Sequence, residues 1–119
     1  MRTTIKLSST NQLNKKLAIE KCPVTFTLEK IGGRWKPLIL WNLLDGKKRY
    51  SEIRRSMPLI SEKMLIQQLR EMEEDGLVCR KVHPVVPPHV EYYLSKKGDE
   101  ITPVLKAMAN WGLKNAAKN

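Results

Sequence analysis

The spacing of apolar positions along the chain predicts a mainly helical domain. Apolar residues recur every three or four positions over about 23–31, 34–44, 61–75 and 100–117, which is the period of an amphipathic helix. The segment 34–44 is apolar nearly all round, so we expect it to lie at the centre of the core. A shorter amphipathic segment covers about 50–57.

A different pattern follows the third long helix. Two strand-like stretches, 78–83 and 90–94, flank the run PVVPP at 84–88. That run is too rich in proline for a helix or a central strand, so it predicts the irregular tip of a hairpin. Residues 95–99 are polar and predict a turn before the last helix.

The order of these elements favours one fold class. A short helix, a tight turn and a second helix with a polar outer face form a helix-turn-helix unit, and the hairpin that follows is a wing. Ser61 is a suitable N-cap for the second helix, and Leu65, Leu69 and Met72 share its inner face. The predicted fold is therefore mainly α with a small β-hairpin wing, a winged helix-turn-helix.

Charge narrows the class of partner. The 119 residues include 22 Lys and Arg against 12 Asp and Glu, a net charge of +10, which favours a polyanion such as double-stranded DNA. Gln can bond adenine, Arg and Lys can bond guanine, and the remaining cations suit backbone phosphates. The candidate DNA contacts lie on the second helix (Ser61, Lys63, Gln67, Gln68, Arg70) and before it (Lys47, Lys48, Arg49, Arg54, Arg55).

Two other interpretations of that polar face stay open. Glu62, Glu71, Glu73 and Glu74 make the helix acidic towards its C-terminal end, which would also suit a merely solvated surface. Some winged-helix domains bind protein rather than DNA, although the basic rim between residues 47 and 70 favours DNA.

The last helix predicts self-association. Its apolar stripe continues further than a small core needs, so packing against a second copy is the economical explanation, with Trp111 covering its own core as the alternative. A two-fold dimer would place two recognition helices about one DNA turn apart on a pseudo-palindrome. We expect an extension and candidate dimer arm at 1–21, the DNA-binding domain at 22–96 and a dimerisation helix packed on it at 97–119. The candidate interface residues are Ile101, Leu105, Met108 and Trp111.

Other functions find little support in the residues. The chain has no Gly-rich phosphate loop, no Ser-His-Asp set and no clustered carboxylates in an apolar setting, so we expect no enzyme and no cofactor. Two separate cysteines and two hairpin histidines without a placed partner predict no metal site. No apolar run approaches the roughly 20 residues of a membrane helix, and no secretory leader is evident, which predicts a cytoplasmic protein.

Nine short strings give the chain a resemblance to a known family. In order along the sequence they are CPV at 22–24, IGGRWK at 31–36, LIL at 38–40, RY at 49–50, ISEKML at 60–65, QLR at 68–70, EDGLV at 74–78, VPP at 86–88 and VEY at 90–92. Together they resemble the HxlR-type family of winged helix-turn-helix regulators in the MarR-like superfamily. The resemblance implies a bacterial homodimer that dimerises through its terminal helices and binds operator DNA as a repressor or activator.

The resemblance also bears on individual residues. Cys22 matches the cysteine that some family members use to sense oxidants or electrophiles, which implies a small-molecule or electrophile effector. Its place at a helix start beside Lys21 favours a lowered pKa, while a purely structural role is the alternative. His89 stands where the wing usually carries Lys or Arg, and Ile66 stands where Thr is common. These departures affect the expected wing contact with phosphate and the operator sequence.

Overall fold

The computed structural model describes residues 22–116, which form parts of two compact units, 1–33 and 34–119. The predicted extension at 1–21 lies outside the described residues. In the first unit, helix α1 spans Pro23–Ile31. Cys22 is its N-cap residue and Pro23 opens its first turn, where the missing N–H has no helical partner to lose. The predicted bounds of this helix are confirmed.

The second unit contains five helices and three strands in its described part. Among the helices of the described residues, none combines the length and the apolar character needed to span a bilayer. In chain order the elements are α2 (Lys36–Asn42), β1 (Lys48–Arg49), α3 (Tyr50–Ser56), α4 (Glu62–Glu74), β2 (Val78–His83), β3 (His89–Leu94), α5 (Lys96–Asp99) and α6 (Thr102–Ala116).

The three strands form an antiparallel sheet in the order β1-β3-β2. Strands β2 and β3 make the predicted hairpin, in which His83 lies opposite His89 and Lys81 opposite Glu91. Strand β1 pairs with the other edge of β3, and Arg49 lies opposite Glu91. The winged helix-turn-helix prediction is thus confirmed, although β1, with two residues, is too short to show an alternating pattern in the sequence.

Helix α4 packs on α2 and on β2, and α3 contacts α2 and the strands β1 and β3. Helix α2 is less buried than its composition predicts, because Leu38 and Trp41 are exposed while Ile39 and Leu40 are fully buried. The largest fully buried side chains are Ile39, Leu40, Leu43, Ile53, Leu65, Leu69, Met72 and Val78.

The segment predicted as a polar turn is a short helix, α5. The Ser95 hydroxyl accepts a hydrogen bond from the Gly98 amide at 3.0 Å and donates to the Gly76 carbonyl at 2.6 Å. The Ser95 amide in turn donates to the Leu77 carbonyl at 3.0 Å. These bonds order the segment against the end of α4, and they delay the start of the last helix to Thr102.

In α5, the backbone of Gly98 lies close to the carbonyl group of Leu77, in the connection between α4 and β2. A Cβ atom at this position would overlap the Leu77 carbonyl oxygen, which is fixed by its bond from Ser95. We expect Gly98→Ala to lower the free energy of unfolding by about 1–3 kcal/mol, the usual cost of overpacking, as measured by urea titration. Lys96→Ala, on the exposed side of the same helix, is the control. Equal stability of the two variants would contradict this account.

Candidate nucleic-acid interface

Helix α4 begins with the predicted cap. The Ser61 hydroxyl accepts a hydrogen bond from the Met64 amide at 3.1 Å, and the first turn stays exposed to solvent. The remaining free amide groups of that turn carry the positive end of the helix dipole. An exposed helix N-terminus of this kind suits a phosphate group.

The two faces of α4 differ as the sequence predicts. Leu65, Leu69 and Met72 are buried, whereas the side chains of Lys63, Gln67 and Arg70 on the other face are exposed. Burial of the apolar face fixes the rotation of the helix about its own axis. The polar face is therefore presented outward as a row of donors.

Neighbouring side chains already orient part of this row. The Gln67 amide nitrogen donates to Glu71 Oε2 at 3.2 Å, and Lys36 Nζ lies 2.8 Å from Glu71 Oε1. These hydrogen bonds, from Lys36 first and then from Gln67, hold the pKa of Glu71 below its usual value. Glu71 is thus an ionised link between α2 and the exposed face, and its charge is partly compensated. Gln68, at the flank, lies with its amide 3.6 Å from the sulfur of Met64.

The predicted cations before α4 divide into two groups. Lys48 Nζ lies 2.6 Å from Asp45 Oδ1 and donates to the Asn42 carbonyl at 3.2 Å, and Arg54 donates to the Ile60 carbonyl at 2.9 Å. These two side chains form hydrogen bonds within the chain, so part of the positive charge predicted to contact backbone phosphates stabilises turns instead. The cations that are exposed are Lys47, Arg49 and Arg55.

A cleft lies between α4 and the wing. Its lining includes three arginines, Arg49, Arg70 and Arg80, together with Ile66 and His89. Arg80 was not predicted as a site residue, because only the register of β2 with β3 turns it towards α4. Alternation along β2 was the available signal, but it does not identify which face meets the helix.

The histidines of the wing do have partners. His83 Nε2 lies 2.6 Å from Glu91 Oε1, and this hydrogen bond is the main cause of a lowered pKa for Glu91. The His83 and His89 rings are stacked with centroids 4.6 Å apart. The expectation that neither histidine has a placed partner is wrong, because the register of β2 with β3 brings His83, His89 and Glu91 to one face of the sheet.

Helix α6 leaves an apolar surface uncovered in the described part of the chain. Leu105 is only 3% exposed and belongs to the core of its own unit, so it drops out of the predicted set of interface residues. Met108 and Trp111 are 50% and 70% exposed, and Ile101 is half-buried. The alternative that Trp111 covers the core of its own chain does not agree with the exposure of its side chain.

Both cysteines are free and half-buried. Hydrogen bonds from Thr25, by its side chain first and then by its backbone, lower the pKa of the Cys22 thiol. The sequence analysis expects a lowered pKa from the helix start and from Lys21, which lies outside the described residues; the contribution of the Thr25 side chain was not predicted. Cys79, on β2, lies opposite Tyr93.

Helix α4 is capped and exposes a face of hydrogen-bond donors. A hydrogen-bonded turn precedes it and a wing follows it. This arrangement defines a winged helix-turn-helix DNA-binding domain. Residues 30–119 match the model of the HxlR-like helix-turn-helix family, and the chain belongs to that family. It is a transcriptional regulator with a helix-turn-helix DNA-binding domain, and not an enzyme.

Relatives and solved structures agree with this assignment. The chain is 49% identical over 96 residues to the HTH-type transcriptional regulator YybR of Bacillus subtilis, covering 81% of this chain and 77% of that one. It is similar to the redox regulator HypR in its oxidised form, with 49% identity, a TM-score of 0.76 and coverage of 79% and 97%. The reduced regulator YodB of B. subtilis gives 36% identity, a TM-score of 0.69 and coverage of 82% and 97%.

The division among the cations can be tested with Arg54 and Arg55. We expect Arg55→Ala to weaken binding of all duplexes about equally and to reduce the salt slope of log affinity by about one, while stability is unchanged. Arg54→Ala should instead lower the free energy of unfolding by about 1–2 kcal/mol, because a charged hydrogen bond to the Ile60 carbonyl is lost. Fluorescence anisotropy over a salt series and urea titration measure the two effects. An unchanged salt slope in Arg55→Ala would remove this residue from the interface.

Proposed function

We propose that the protein binds a pseudo-palindromic operator as a homodimer and regulates transcription there. The exposed donor face of α4 is the observation that carries this proposal. The major groove admits one α-helix, and a helix that is anchored by its apolar face and rich in donors on the other suits that groove.

Within this proposal the residues take distinct parts. Gln67 and Arg70 stand at the middle of the exposed face and carry the groups that bond adenine and guanine edges. Ser61 and the first turn of α4 contact a phosphate. The cations suited to the remaining backbone contacts are Lys47, Arg49, Arg55, Lys63 and Arg80.

The dimer part of the proposal rests on α6. Met108 and Trp111 are large apolar side chains that a monomer leaves in water. Packing two such helices together about a two-fold axis would bury these side chains and pair two recognition helices. We retain residues 1–21 as a candidate arm and the boundary between 22–96 and 97–119 as part of this hypothesis. The regulator meets its DNA in the cytoplasm.

The test is fluorescence anisotropy with duplexes that tile the region upstream of the gene for this protein, against random duplex at several salt concentrations. We expect one duplex to bind roughly a thousandfold tighter than random DNA, with two chains per site. Gln67→Ala should lower the ratio of operator to random affinity, whereas the control Arg55→Ala should leave that ratio unchanged. Equal and weak binding of every duplex, with no change in ratio for Gln67→Ala, would contradict operator recognition.

We further propose that Cys22 makes the regulator responsive to oxidants or electrophiles. Two of the similar structures are of proteins described as redox or diamide-treated regulators, HypR and YodB. The lowered pKa of Cys22 supports the same role here, because the thiolate is the form that reacts.

The role of Thr25 in this reactivity is measurable. Since hydrogen bonding to Thr25 lowers the pKa of Cys22, the thiolate persists to lower pH than in an ordinary cysteine. Removing the hydroxyl in Thr25→Val should raise that pKa and shift the pH profile of iodoacetamide alkylation to higher pH. The measurement uses a Cys79→Ser background, so that only Cys22 reacts. Thr27→Val, whose hydroxyl donates to the Pro23 carbonyl, is the matched control; identical profiles for both variants would refute the assigned cause.

A further inference from the structure

Three potential metal ligands meet in the wing. Ligand atoms of His83, His89 and Glu91 all lie within 4.8 Å of one another. We propose that these residues form a binding site for a divalent transition-metal ion of the Zn²⁺ type. The inference does not depend on the proposed operator.

The register of the hairpin brings the three side chains together. His83 and His89 are directly opposite partners across β2 and β3, and cross-strand partners point to the same face of the sheet. Glu91 follows His89 by two residues, so it lies on that face as well. The ligands therefore stand on paired strands, and the separation of their backbones is fixed by the sheet.

The donor set selects the class of ion. Imidazole nitrogens and one carboxylate suit Zn²⁺, Ni²⁺ and Cu²⁺, whereas Mg²⁺ and Ca²⁺ favour oxygen ligands throughout. Three protein ligands leave at least one coordination position for water. The two histidines of the site are the two that the whole chain contains.

Only small side-chain movements separate this arrangement from a bound one. His83 Nε2 is hydrogen-bonded to Glu91 Oε1 at 2.6 Å, and a bound metal ion would take the place of this hydrogen bond. The stacked rings must also turn about their terminal torsions until one nitrogen of each points to a common centre. The His83 and Glu91 side chains are 27% and 17% exposed, so an ion can reach them from solvent.

Nearby cations set the expected strength of the site. Arg49 and Lys81 lie opposite Glu91 on the two adjoining strands, and Lys47 also acts electrostatically on its carboxylate. Their repulsion of a dication predicts moderate affinity rather than the tight binding of a structural zinc. A bound ion would add positive charge to the wing, next to the cleft that His89 shares with Arg70.

The experiment uses the full chain without an affinity tag, stripped of metal, in a Cys22→Ser, Cys79→Ser background that excludes thiolate ligands. Zn²⁺ is titrated against a fluorescent chelator, and histidine ring resonances are followed by NMR. With two histidines in the chain, both ring signals should shift together at one ion per chain. His89→Gln should weaken binding about a hundredfold, since even the loss of a supporting group outside the ligand shell costs 10–100-fold. This variant leaves the His83–Glu91 hydrogen bond intact.

Lys81→Gln is the matched control on the same hairpin, and it should bind Zn²⁺ as well as or better than the parent. Either unchanged affinity in His89→Gln or ring signals that do not move with Zn²⁺ would overturn the proposal, and the three residues would then be only a hydrogen-bonded pair with a stacked ring. Operator binding is measured separately in metal-free buffer, so a failure of the metal site and a failure of DNA recognition give different results.

Discussion

The burial of one face of α4 is the constraint on which the rest of this structure depends. Leu65, Leu69 and Met72 are fully enclosed by α2 and the sheet, and each such side chain contributes about 1.5–3 kcal/mol when removed from water. Because these residues repeat with the helical period, their burial leaves a single rotation for α4. The polar side chains of the opposite face are then exposed as a consequence of this packing.

The turn before α4 and the wing after it are held against the packed helix and contribute further side chains to the candidate interface. Arg54 donates a hydrogen bond to the Ile60 carbonyl in the turn before α4, while the pairing of β2 with β3 brings Arg80 and His89 to the same cleft. Some of the positive charge that the composition offers for DNA is therefore used inside the chain. The net charge overstates the number of cations that can contact a phosphate.

The sequence predicts the helices and the hairpin well because their signals are local. The apolar period of α4, the cap at Ser61 and the proline-rich tip at 84–88 need no knowledge of distant residues. The two-residue β1, the exposure of Trp41 and the burial of Leu105 depend on tertiary packing, which periodicity does not contain. The cluster of His83, His89 and Glu91 was missed for the related reason that only strand register brings these residues together.

The chain of contacts from Lys36 through Glu71 to Gln67 has a consequence for the evolution of operator preference. Gln67 is hydrogen-bonded to a carboxylate that is itself paired with Lys36 on another helix, so its amide would lose less rotamer freedom in the proposed base contact. In the proposed complex, the unit that reads a base would comprise three side chains on two helices. Transplanting Gln67 alone into a relative would move the chemical group without the support that orients it, so under the proposed function a change of operator preference would involve α2 as well as α4.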